Sequence, residues 1–306
     1  MVLFNYVIMC MVFGTTFLAI KVGVEAGLPP FLSGGIRFVA AGAIIYAWLM
    51  WRRKASLSLL FRKEVLLIAA GSTFTTFSAL YWAEQHIDSG MAAVLSATGP
   101  IAIIVMQSLA LKQRIYRMEK LGCALGFAGV VVLMLPNLSG GNDGLWLTAC
   151  LLVLLSSFGY AAGSLLTRRV LLRNPEQSPI VLNAAQMVVG GAGLLLLSAL
   201  MERPSSASIA WLPATGSLLY LIAVGSMLGH SLFAWLIKAT NAFFPSTWLY
   251  VSPVIALSIG AIVFGEQLTL FSICGSLLVL AGVVLPKLKE LKAYVSTPSQ
   301  RRKKAA

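Results

Sequence analysis

A stretch of 52 residues, Tyr81 to Val132, recurs without a gap from Ala234 to Leu285, 153 positions later. Trp82 falls on Trp235, Pro100 on Pro253, Gly122 on Gly275 and Leu125 on Leu278. Ala128-Gly129-Val130-Val131 falls on Ala281-Gly282-Val283-Val284. Eight identities do not establish duplication by number, but they fall on a tryptophan, a mid-segment proline and a spaced glycine pattern, which chance would scatter. An internal repeat of this kind in an apolar sequence is a leading sign of a transporter built from two related halves.

The sequence is apolar throughout. Of its 306 residues 58% are hydrophobic and 11% charged, where a soluble domain carries about 25% charged residues. Mean hydropathy is +0.88 over the whole length, so a soluble domain with a single anchor is excluded. Cys10, Cys123, Cys150 and Cys274 lie in apolar stretches without metal spacing, and are read as reduced packing residues. The first apolar stretch lacks a basic n-region and a cleavage site, and is read as retained.

With a ruler of roughly 20 apolar residues per crossing, the chain divides into ten candidate spans. They cover about 3–21, 30–51, 64–83, 90–111, 118–136, 144–167, 178–200, 213–237, 244–264 and 270–287. Pro29, Pro30, Pro136, Gly140, Gly141, Pro175 and Pro204 are among the residues that punctuate them. The net charge of +13 is a topology signal, because the basic residues sit in short loops and in the tail. If the N-terminus is inside, 20 lysines and arginines lie inside, against Lys21 and Arg203 outside and Arg37 within a span. Both termini are therefore expected in the cytoplasm.

Five spans per half is an odd number, so the second half enters the membrane from the opposite side. The expected fold is an all-α membrane protein, with residues 1–137 and 144–289 as inverted five-helix repeats and 290–306 as a basic cytoplasmic tail. The tail's charge suits anionic lipid.

The segment Gly265-Glu266-Gln267-Leu268-Thr269, running on through Gly275 to Leu285, resembles the closing signature of EamA-type transporters of the drug/metabolite transporter superfamily. Gly14-Thr15-Thr16-Phe17, Pro30 through Arg37-Phe38, Pro100 and Pro253 agree with it, and the resemblance runs to about Lys289. Three positions depart from the family pattern: Phe13 and its counterpart Phe158 replace a tryptophan, and Gln113 stands where the second half has Glu266. The resemblance implies small organic solutes, often amino acids and aromatic ones among them, moved outward across a bacterial inner membrane that the chain crosses several times.

Arg37 is an arginine in mid-apolar sequence, and an unpaired cation there costs at least about 2.5 kcal/mol. It either faces a cavity and holds a substrate carboxylate, or pairs with backbone carbonyls or snorkels outward; its counterpart is Gln186. His230, inside the eighth span, is either a proton carrier and solute contact or a neutral packing histidine. Phe74, Phe77 and Tyr81 fall at helical spacing with Thr73 and Thr76 beside them, and His230, Phe233 and Ile237 answer in the eighth span. Such a stripe is either packing or a cavity wall, and the resemblance, in which spans three and eight line the path, supports the wall.

Pro100 and Pro253 each free a carbonyl and serve as gates or static kinks. Thr15, Thr16, Tyr160, Ser164, Asn183 and Gln186 supply neutral hydrogen-bonding groups. The expected solute contacts are Thr16, Arg37, Thr73, Phe77, Tyr81, Ser96, Tyr160, Ser164, His230, Trp248 and Tyr250. Gly122, Gly126 and Gly129, echoed by Gly275, Ser276 and Gly282, give close packing faces that join either the halves or two molecules.

No G-x-x-x-x-G-K-[ST] loop is present, so ATP does not drive transport through this chain. Energy comes from the solute gradient or from proton exchange, with His230 and then Glu84, His86 and Asp88 as candidate carriers. The absence of an acid at mid-membrane depth points toward weak or no coupling. The expected partners are a small-molecule solute and membrane lipid, with a proton as a candidate coupling ion, no nucleic acid and no cofactor or metal, in a monomer or homodimer. An intramembrane enzyme is the alternative. It would need a nucleophile and base or a metal cluster at one depth, and two histidines in different halves do not supply it.

Overall fold

The computed structural model describes residues 1–111, 117–138, 144–203, 209–240, 243–246, 248–263 and 269–285, and every regular element among them is helical. In chain order these are α1 (Val2–Glu25), α2 (Pro30–Trp51), α3 (Lys63–Ala83), α4 (Ser89–Leu109) and α5 (Arg117–Leu138). Then follow α6 (Gly144–Arg173), α7 (Pro179–Met201), α8 (Trp211–Ala239), α9 (Trp248–Val263) and α10 (Leu270–Val284). Among the described residues α1 to α4 and α6 to α8 are the seven helices long and apolar enough to cross a membrane. The linker positions 139–143, the 265–268 part of the closing motif, and the tail lie outside the described residues.

The punctuation acts as its chemistry dictates. Gly27 takes φ 87° after α1, and the Leu28 N–H turns back to the Gly23 carbonyl at 3.1 Å, a helix-terminating loop that glycine adopts at little cost. Pro30 and Pro179 open α2 and α7, where the missing N–H has no helical partner to lose. Glu202, just past α7, accepts from the Phe31 and Leu32 N–H groups at 2.7 and 2.9 Å, capping the next exposed donors of α2. Thr269 and Ser272 form a reciprocal capping box at the start of α10. α6 runs to Arg173, past the expected boundary at 167, because Leu171 beyond the exposed Arg168 and Arg169 is buried in an apolar cluster.

Regular 3.6-residue winding fails in two places, and they correspond. Ala70–Thr75 in α3 and Leu221–His230 in α8 are π-helical, each the third long helix of its half. The Thr76 hydroxyl donates to the Gly71 carbonyl at 2.8 Å across the first of these wide turns. A π turn inserts a residue and rotates everything beyond it on the helix.

Contacts between the halves are reciprocal. α2 packs on α7, α4 on α9 and α5 on α10, while α1 meets α8 and α9 as α6 meets α3 and α4. Small residues set the first crossing: a Cβ at Gly42 would lie 2.8 Å from the Val188 nitrogen, and one at Gly191 2.7 Å from the Val39 nitrogen. The expected glycine faces of α5 and α10 join the two halves to each other.

Two apolar clusters lie toward the ends of the bundle. One gathers Phe17, Ile20, Leu80, Tyr81, Leu95, Val153 and Leu221. The other gathers Tyr46, Leu49, Val65, Ile68, Leu171, Leu182 and Ile237. α3 belongs to both, through Leu80 and Tyr81 near its C-terminus and Val65 and Ile68 near its N-terminus, so the clusters sit at opposite ends.

Candidate functional site

Between the two clusters lies a cavity enclosing ≈ 1000 Å³ of space free of atoms, its open mouth included. α1 contributes Phe13, Thr16 and Phe17, α2 Arg37, α3 Ser72, Thr76, Phe77 and Leu80, and α4 Ser96. From the second half come Ser156, Ser157, Tyr160, Ser164 and Thr167 of α6, Leu182, Asn183 and Gln186 of α7, His230, Phe233, Ala234 and Ile237 of α8, and Trp248 and Leu249 of α9. The wall thus draws on α1 to α4 and α6 to α9, with α5 and α10 contributing none of its described residues.

Arg37 is 1% exposed, two turns into α2. Its Nε donates to Ser226 Oγ at 2.8 Å, on the π segment of α8, and its Nη1 to the Tyr81 hydroxyl at 3.3 Å on α3. The guanidinium carbon stands 4.7 Å from the Phe38 ring centre and 5.2 Å from that of Phe77. All of these groups are neutral. Lys21 pairs with Glu25 at 3.9 Å, and among the described residues no carboxylate lines the cavity.

The neutral wall opposite is ordered by its own bonds. Thr73 Oγ1 donates to Gln186 Oε1 at 2.5 Å, and Gln186 Nε2 donates to Asn183 Oδ1 at 3.1 Å. Asn183 Nδ2 in turn donates to Met187 Sδ at 3.3 Å, so the chain of bonds holds both amides against rotation. Ser157 meets Thr98 at 3.2 Å between hydroxyl oxygens. The Tyr160 hydroxyl lies beside Trp248 and Ser164, yet neither it nor the buried Trp248 Nε1 makes a hydrogen bond of good geometry among the described residues.

Aromatic rings fill the middle. Phe13 lies 4.5 Å from Trp248 and 5.1 Å from His230 between ring centres, and His230 is also edge-on to Phe38 at 5.6 Å and Phe77 at 5.8 Å. His230 is therefore framed by rings from α1, α2 and α3, with its imidazole on the cavity wall.

Of the expected contacts, Thr16, Arg37, Phe77, Ser96, Tyr160, Ser164, His230 and Trp248 converge on this one space. Thr73 and Tyr81 stand one layer behind it, each bonded to a wall residue. Phe74 lies inside the π turn and packs against Gly193 of α7, whereas Phe77 and Tyr81 lie beyond it, one α-helical turn apart, with Phe77 on the cavity and Tyr81 farther along in the adjoining apolar cluster. Thr15 also points elsewhere, bonding Tyr220 at 2.6 Å.

Pro100 is buried, and α4 is broken at Ala97–Thr98 just before it, leaving the Ser96 carbonyl without the N–H that proline lacks. The side chains of Tyr250 and Pro253 lie outside the described residues. Sequence reasoning missed Phe17, Ser156, Ser157 and Thr167. The pair Ser156-Ser157 directly precedes Phe158-Gly159, the counterpart of Phe13-Gly14, and that position in the repeat was the available signal.

The chain matches the EamA-like transporter family twice, at residues 1–135 and 147–286. It is similar to the uncharacterized inner membrane transporter YedA of Escherichia coli K12, with 30% identity over 84% of this chain and 81% of that one. It is also similar to a probable amino-acid metabolite efflux pump of Salmonella typhimurium, with 26% identity over 92% of this chain and 93% of the pump. A solved crystal structure superposes with a TM-score of 0.64 at 19% identity, over 93% of this chain and 96% of that one, a likeness of fold.

Proposed function

Because the chain belongs to the EamA-like transporter family, we propose that it is a secondary exporter of a small organic metabolite, an amino acid or a related, often aromatic, compound. It sits in the bacterial inner membrane as a multi-pass protein, where its relative YedA is also named. In this reading α1 to α10 all cross the membrane, the halves 1–137 and 144–289 are inverted, and both chain ends are cytoplasmic.

One observation carries the proposal: a cavity bounded by matched helices of both halves, with a separate apolar cluster toward each end. Such an arrangement supports alternating access, since rocking one half on the other opens one cluster while the second stays shut. The solute rests against Thr16, Arg37, Phe77, Ser96, Tyr160, Ser164, His230 and Trp248, with Thr73 and Tyr81 fixing the orientation of Gln186 and Arg37. Pro100 and Pro253 mark the bending points of α4 and α9. The lack of a carboxylate on the described wall favours export down the solute's own gradient, with His230 as the one imidazole able to carry a proton there.

Purified protein in vesicles, preloaded with unlabelled amino acids and given trace labelled solute outside, tests the reading. Saturable counterflow that falls in Phe77→Ala and His230→Ala is expected. Absence of flux across a broad metabolite panel in wild-type vesicles would sink it.

A further inference from the structure

We infer that Arg37 anchors the solute through a carboxylate, and that an ammonium group on the solute contributes little to recognition. The inference deepens the transport reading and rests on it. A guanidinium carries five N–H donors. Two are used, by Ser226 and, over a long 3.3 Å, by Tyr81, and the other three have no acceptor among the described residues. Phe38 and Phe77 lie close to the guanidinium and offer π density but no lone pair. The side chain is 1% exposed and lines the cavity, so an acceptor can reach it only through that space.

Gly225 keeps the approach open, since a Cβ there would sit 3.1 Å from Nη2 and 3.1 Å from the Thr16 methyl carbon. A planar two-oxygen anion is the group whose geometry matches the unused fork.

The charge balance points the same way. The described wall holds one fixed cation and no carboxylate. A carboxylate entering it pairs with Arg37 directly, whereas an ammonium meets only hydroxyls, amide oxygens and ring faces. Ring faces attract cations weakly compared with the water the ammonium must shed. The favoured cargo is an organic monocarboxylate whose apolar body lies among Phe13, Phe77 and Trp248.

Three probes with one phenyl body separate the charges: phenylalanine, phenyllactate, which replaces the ammonium by a hydroxyl, and phenylalaninamide, which removes the carboxylate. Binding to the purified full-length protein is read by tryptophan fluorescence, and flux in vesicles. Both carboxylates are expected to bind with similar affinity and the amide at least about tenfold more weakly, as loss of a charged hydrogen bond produces. Arg37→Gln is expected to erase the difference and Arg37→Lys to keep part of it.

Should Arg37→Gln fail to fold, the wild-type series decides alone. Amide binding equal to the acids, phenyllactate binding far below phenylalanine, or no binding by any of the three overturns the inference. Flux of other solutes in that case leaves the transport reading standing. Binding of the acids without flux of any solute keeps the inference and removes transport.

Discussion

Gly129 of α5 and Gly282 of α10, 153 positions apart, each face the backbone of the other's helix across one crossing. A Cβ on Gly129 would lie 2.6 Å from the Val279 nitrogen, and one on Gly282 would strike the backbone of Gly126 and Gly122. Backbone cannot give way as a side-chain tip can. Gly129→Leu and Gly282→Leu are each expected to cost about 3 kcal/mol or more, the upper end of overpacking penalties, and to lower the apparent Tm in detergent. Gly216, with nothing within 4 Å of a Cβ, is the control. Gly216→Ala should leave the Tm unchanged or raise it, as glycine within a helix is less stable than alanine.

The clamp at Glu202 supplies a second prediction. Its two carboxylate oxygens take the Phe31 and Leu32 N–H groups, tying the start of α2 to the end of α7. Glu202→Ala leaves both donors without the carboxylate and should cost about 1–2 kcal/mol, as loss of a helix cap does. Glu202→Gln keeps one acceptor oxygen and should lose less. Equal Tm values for wild type and the alanine variant would show that the cap adds no stability.

Thr73 tests whether the layer behind the cavity controls it. Thr73→Val preserves shape but removes the donor to Gln186 Oε1, leaving that oxygen buried and unsatisfied, at about 1–3 kcal/mol. Freed from Thr73, Gln186 can rotate, so solute affinity should also fall although Thr73 does not line the cavity. Thr73→Ser restores the hydroxyl and should restore both Tm and affinity. Affinity unchanged in the valine variant would remove the positioning role.

What could be read in the sequence followed what is periodic or repeated. Runs of apolar residues gave away the helices, and the 153-residue offset matched Gly129 to Gly282, which the structure places on one crossing. Arg37 and His230 were legible because a charged or titratable group in apolar sequence needs an explanation. The π turns at Ala70–Thr75 and Leu221–His230 were not, since a 3.6-residue period assumes the bonding pattern that they break. Phe74, inside the first of them, packs against Gly193, while Phe77 beyond it reaches the wall. Serines carry no hydropathy signal, so Ser156 and Ser157 were marked only by their place before Phe158-Gly159 in the repeat, and α6 carries both onto the cavity wall.

His230 separates solute binding from energy coupling. On the described wall it is the one imidazole, framed by Phe13, Phe38 and Phe77, and no carboxylate stands beside it to receive a proton. If it carried a coupling proton inward during export, acidifying the outside would speed export, and His230→Gln would abolish that acceleration while sparing exchange at equal pH. The ring framing favours the other role, in which the imidazole packs and bonds the solute. Initial export from preloaded vesicles is therefore expected to be the same with and without an acid-outside gradient. His230→Gln should weaken solute affinity under both conditions, because an amide supplies hydrogen bonds without the ring contacts. Acceleration by the gradient in wild type, lost in the glutamine variant, would reverse the assignment and make His230 the proton carrier.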